Sequence, residues 1–228
     1  YIVYSKIKTT SNKEEKKEII KDTVLIDSNL TTELSLNNKD VKKLYNYVNN
    51  KNIDYASYKN RGKTIKWDYL SLVTMYNIPL NYVLKDEKNI EYVDSYSFLD
   101  KYREIFGSDL TISKEEQNTT TCGAVNYKND VYYPNWYCKE KSDDSIIVTY
   151  LKNVTIDKEY LNINKYYAFI VKTDEDTFDL YSSDEKEEKT LIATNLSIYE
   201  ISNYINEMNI MSYRFKKINN QYYLNNIK

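Results

Sequence analysis

The chain has 228 residues, 32 basic and 34 acidic side chains, a formal charge of −2 and no histidine. Near-balanced charge leaves no basic field for a nucleic acid, and the missing imidazole excludes Ser-His-Asp and Cys-His catalysis as well as histidine metal ligands. Hydrophobic residues make up 41%, which suits a globular chain able to bury a sizeable core without a metal or other cofactor.

Residues 1–37 read as an N-terminal extension. The sequence YIVY is followed by Ser5–Asp22, a mixed-charge stretch with little apolar periodicity that suits a spacer. It contains no run of about 18 apolar residues, so membrane attachment is expected only through an anchor removed from its N-terminal side. Residues 38–228 are expected to form the globular domain, with 38–93 left open as a separate helical subdomain.

Three helices are predicted. The first opens at Asn38 or Lys39, where Val41, Leu44, Tyr45 and Val48 fall on one face. The second runs from Trp67 until Pro79 forbids it. In the third, Asp94 or Ser95 caps the start, Phe98, Leu99, Tyr102, Ile105 and Phe106 form the apolar face, and Gly107 supplies a left-handed stop. After Gly107 the period shortens. SIIVTYL, KYYAFIV, TFDLYSS and KTLIATN, separated by polar turns, predict an antiparallel β-meander. A late helix is expected over Leu196–Met208, and Asn219-Asn220 between two aromatic runs predicts a hairpin turn.

The segment TCGAVNYKNDVYYPNWYC gathers both cysteines. A three-residue loop centred on Asp130 would put Cys122 opposite Cys138, Ala124 opposite Trp136 and Tyr127 opposite Tyr133 in a disulfide-closed hairpin. Pro134 cannot donate to a ladder, so its strand should be an edge or should bulge. A bridge of this kind persists in an oxidising compartment, and the expected location is extracytoplasmic, at the cell surface or secreted. Two reduced, buried cysteines in a cytoplasmic structural protein are the alternative.

Only three of the 32 basic residues are arginine, and tyrosine occurs 26 times. Lys, Asn, Ile and Tyr share codons of A and T, so an AT-rich bacterial genome accounts for most of this bias, and most tyrosines are expected in the core. The sharper reading is a recognition surface formed by Tyr132, Tyr133, Trp136 and Tyr137. The acidic runs around Asp143, Asp174 and Asp184 read as solvated turns, and no EF-hand spacing is met.

These features predict an α+β domain with N-terminal helices, then an antiparallel meander and a late helix packed on the sheet. In element order, residues 94–228 loosely resemble cystatin-like or NTF2-like domains, in which a curved sheet wraps a helix, with no specific motif of either. The expected function is a non-catalytic, anchored, monomeric binding domain for a protein or glycan at the cell surface. The alternatives are a hydrolase working through carboxylates and a cytoplasmic interaction protein.

Overall fold

The computed structural model describes residues 32–107, 121–136, 145–185 and 189–228. After the short strand β1 (Thr32–Glu33), helices α1 (Lys39–Val48), α2 (Lys51–Asn60) and α3 (Trp67–Tyr76) follow one another. Strands β2 (Leu84–Lys85) and β3 (Glu91–Asp94) lead into α4 (Ser95–Phe106), and β4 (Val125–Lys128) with β5 (Val131–Pro134) forms the cysteine-segment hairpin. The remainder is β6 (Ser145–Ile156), β7 (Tyr160–Lys172), β8 (Phe178–Tyr181), β9 (Leu191–Leu196), β10 (Asn209–Ile218) and β11 (Gln221–Ile227). The α+β reading holds, with both sheets antiparallel.

Local chemistry sets the helix ends. Asn38 caps α1 by accepting from the N–H groups of Asp40 and Val41, and Asp94 caps α4 by accepting from Ser97 N–H at 2.9 Å. Gly107 ends α4 with φ of +82°, where its N–H closes on Arg103 O. Helix α2 has no counterpart in the sequence reading. Its inward face carries Ile53, Asp54, Ser57 and Tyr58, and two polar residues in the buried stripe erase the apolar period. The expected late helix is shorter and tighter, a 3₁₀ segment over Ile201–Glu207 broken at Tyr204.

The large sheet runs β1-β6-β7-β10-β11, with β8 and β9 branching from β7. Strand β7 makes this fork. One edge pairs with β6 throughout, while the other pairs with β10 from Tyr160 to Tyr167 and with β8 from Phe169 to Lys172. The turn Asn219-Asn220 joins β10 to β11 with both residues at positive φ, as the hairpin signal predicts.

The smaller sheet, β2-β3-β5-β4, corrects the predicted register. Asn129 and Asp130 both take positive φ (51° and 60°), so the hairpin closes with a two-residue turn. Tyr127 therefore faces Tyr132, and Asn126 faces Tyr133, one residue away from the predicted pairing. Cys122 does not reach the ladder at all: it lies in a turn where Ala124 N–H donates to Thr121 O, with Gly123 at φ of +78°. Strand β5 is interior by order, yet β3 pairs with it only through Tyr132 and Val131, so Pro134 faces β4 alone.

Helices α1 to α4 pack on one face of the large sheet, sharing a core of Val48, Tyr58, Val73, Ile105, Ile163, Phe169 and Phe215, among others. On the opposite face, β7, β8 and β9 share a second core around Ala168, Ile170, Leu180 and Leu196, against which the 3₁₀ segment packs Ile201.

Helices α1 and α4 are also tied by Glu104, which pairs with Lys43 at 2.8 Å and with Lys101, and accepts from Tyr47 at 2.6 Å. Burial alone would raise this carboxyl, but the hydrogen bonds from Lys101, Lys43 and Tyr47 outweigh it and pull it from 4.5 down to about 2. A carboxylate depressed by folding stabilises above its unfolded pKa and stops doing so as pH falls through the folded one. Between pH 4.5 and 2, Glu104→Gln is expected to lose less stability than the parent chain, as read by urea midpoints across that window.

Candidate binding surface

Of the four rings of the predicted recognition surface, the structure describes three, and it puts Tyr132 and Trp136 on one face and Tyr133 on the other. Tyr132 is fully buried, stacked on Phe98 at 3.9 Å and 19°, and therefore belongs to the core. The β alternation sends it inward because its neighbours across the ladder must cover α4. Trp136 is half-buried, edge-on to Tyr76 at 5.3 Å, and joins the same cluster. Tyr133 is half-buried on the other face, 6.1 Å from Tyr92. Tyr137 and Cys138 lie outside the described residues, and no cysteine among the described residues is a free thiol.

A different face combines aromatic rings with polar side chains. Along β7, Leu161, Ile163, Lys165 and Tyr167 are buried, whereas Tyr160, Asn162, Asn164 and Tyr166 are half-exposed. Strand β10 repeats the alternation, with Met211, Tyr213 and Phe215 inside and Ile210, Ser212 and Arg214 outside. On β6, the register shifts by one residue between Leu151 and Asn153, placing Tyr150 opposite Tyr166, Asn153 opposite Asn164 and Thr155 opposite Asn162. Each of these pairs lies on the face turned away from the helices.

Cross-strand hydrogen bonds join the polar side chains into a ladder. Asn153 Nδ2 donates to Glu33 at 2.8 Å, Asn164 Nδ2 donates to Asn153 Oδ1 at 2.8 Å, and Ser212 donates to Asn164 Oδ1. The ladder thus crosses β1, β6, β7 and β10, which at the usual strand spacing is about 14 Å. At one side Arg214 lies over the Tyr160 ring at 4.0 Å and donates to Asn162; at the other Lys152 stands over Tyr166 at 5.5 Å. An amide holds two donors and two acceptor lone pairs, so each asparagine retains hydrogen-bonding capacity beyond the bonds named here.

The opposite, helix-covered face holds the most unusual polar group. Lys165 and Asp54 are almost completely buried and pair at 2.8 Å. Lys165 also donates to Val48 O at 2.6 Å, Tyr213 donates to Asp54 Oδ1 at 2.6 Å, and Thr149 donates to Oδ2 at 2.8 Å. Desolvation lowers the Lys165 pKa, with Asp54 opposing that shift; burial and Asp54 together push the Tyr213 hydroxyl well up. Sequence reasoning missed this pair, since an isolated Asp and an isolated Lys on amphipathic elements read as surface residues. Asp184 likewise departs from the solvated-turn reading: its side chain is buried and pairs with Lys59 of α2 at 2.8 Å.

Among the described residues, no group of three or more acidic or cysteine side chains is arranged to hold a metal ion, and no helix is long and apolar enough to cross a membrane. No family model, curated protein or solved structure matches the chain.

Proposed function

We propose that this chain is a non-catalytic, extracytoplasmic domain that binds a neutral glycan on the open face of its large sheet. The observation that carries the reading is the Glu33–Asn153–Asn164–Ser212 ladder with Tyr150, Tyr160 and Tyr166 beside it. Sugar hydroxyls need paired donors and acceptors, which amides supply in a fixed row, and sugar C–H faces stack on tyrosine rings. A protein partner would favour an apolar centre with aromatic and aliphatic anchors, whereas the centre of this face is amide and hydroxyl. An open sheet face also suits an extended chain of sugars, whereas a small molecule is bound in a concave site.

The extracytoplasmic location rests on a proposed Cys122–Cys138 bridge. Closing a loop of about 15 residues stabilises by roughly 3 kcal/mol in the chain-entropy model, and does so only where thiols oxidise.

The test is titration of the isotopically labelled chain with neutral cell-wall and capsular oligosaccharides, followed by amide chemical shifts. Shifts confined to β6, β7 and β10, with binding weakened at least tenfold by Tyr160→Ala or Asn164→Ala, are expected. Binding that maps to the helices, or that survives both substitutions, would refute the site. Alkylation of two free thiols in material from native cells would refute the location.

A further inference from the structure

Buried hydroxyls elsewhere in this core have partners. Ser57 donates to Ile53 O at 2.6 Å, Thr74 donates to Leu70 O at 2.8 Å, Ser71 donates to Asp68 O at 3.1 Å, and Ser183 bonds the Tyr58 hydroxyl at 2.7 Å. Among the described residues, three buried side-chain polar atoms have no protein partner: Trp67 Nε1, Tyr102 Oη and Tyr132 Oη. Their rings form one cluster. Trp67, which opens α3, lies 6.4 Å from Tyr102 of α4 and 6.3 Å from Tyr132 of β5, and Phe98 packs against both Trp67 and Tyr132.

A buried hydroxyl or indole N–H left unbonded is costly, and native cores contain few of them. Three falling independently into a single cluster would be a large concentration of that cost. We propose that the junction of α3, α4 and β5 is a binding site for one hydrogen-bonding guest of the size of a water molecule, held by Trp67, Tyr102 and Tyr132. The indole N–H can only donate, while each phenol can donate or accept. A water accepting from Trp67 and one tyrosine and donating to the other pairs all three atoms, and three bonds is the usual number for a buried water. Burial pushes both phenols up to about 12, so each remains a neutral O–H at physiological pH.

The site would fasten the small sheet to the helices through polar contacts in a region that is otherwise apolar. Its presence reverses the expected sign of a simple substitution. With a shared guest, Tyr102→Phe and Tyr132→Phe each lower Tm by a few degrees, and the double variant loses less than the sum, because the first substitution already releases the guest. Without a guest, deleting an unbonded hydroxyl leaves Tm unchanged or raises it, which would overturn the proposal. A crystal structure of the parent chain supplies the direct check: a density peak within hydrogen-bond distance of all three atoms supports the site, and well-ordered rings with no such peak refute it.

Discussion

Replacing Asp54 by alanine is expected to cost about 3–5 kcal/mol of folding stability, the range typical for removing one partner of a buried ion pair. The substitution strands the Lys165 ammonium, 1% accessible, and also deprives Tyr213 and Thr149 of their acceptor. Val48 O remains as the Lys165 acceptor, but a carbonyl does not neutralise an ammonium. The loss should depend on pH in a defined direction. Desolvation already lowers the Lys165 pKa and Asp54 is what raises it, so in the variant the folded-state pKa falls further below its unfolded value. The native state then binds fewer protons than the unfolded state in the interval between those two values, and stability rises with pH there. Urea denaturation of Asp54→Ala from neutral to alkaline pH should recover part of the deficit, whereas a variant equally unstable at all pH values would show that the lysine is not the stranded charge. Asp54→Leu combined with Lys165→Met should be less damaging than either polar truncation alone, since no charge is then buried.

How far the sequence could be read depended on how its residues divide labour. Helices α1 and α4 were visible because their buried faces are apolar, α3 because Tyr69, Leu70, Leu72, Val73 and Met75 outweigh its buried Ser71 and Thr74, and their ends carry Asn38, Pro79, Asp94 and Gly107. Helix α2 was not, because Asp54 and Ser57 occupy its core face and their partners on β6, β7, α3 and β10 are 12 to 159 residues away in the chain. The hairpin containing Asp130 was visible but its register was not: Asn-Asp fits either a two- or a three-residue loop, and the one-residue difference exchanges Tyr133 for Tyr132 as the partner of Tyr127. The open face of the large sheet was unreadable for a further reason. A strand such as YLNINKYYAFIV alternates cleanly, yet its alternation brings a lysine to the buried side, and only the tertiary structure shows that the other face is buried at Ala168 and Ile170 but open at Asn162 and Asn164.

The two polar ladders have opposite consequences. On the helix side, Asp54, Lys165, Tyr213 and Thr149 bond one another in a sealed interior, where they fix the register of α2 against three strands. On the outer side, the asparagine ladder is joined in the same cross-strand manner but faces solvent, so its remaining donors and acceptors can exchange water for a ligand. Substituting the first should therefore change stability, and substituting the second should change binding at nearly constant stability.

Phe98→Ala tests whether the smaller sheet is held independently. Phe98 is fully buried and belongs to a cluster of Met75, Ile78, Val93, Val125 and Tyr132 that is distinct from the core beneath the large sheet. Truncating a buried phenylalanine typically costs about 3–5 kcal/mol, combining lost transfer energy with the cavity left behind. Here the cavity opens directly against the Tyr132 ring, 3.9 Å away, and next to Trp67 at 6.1 Å. Strand β3 meets β5 through two residue pairs only, Val93 with Tyr132 and Asp94 with Val131, so little backbone pairing remains to hold β2, β3 and the hairpin once the ring is gone. The expected result is graded: native-state hydrogen exchange accelerates first at Val93, Tyr132 and Val125, while amides of β6, β7 and β10 retain protection until global unfolding. Uniform acceleration across both sheets would instead mean that the aromatic cluster and the main core unfold as one cooperative unit, with Tyr102 and Phe106 of α4, both in the main core, carrying the loss from one to the other.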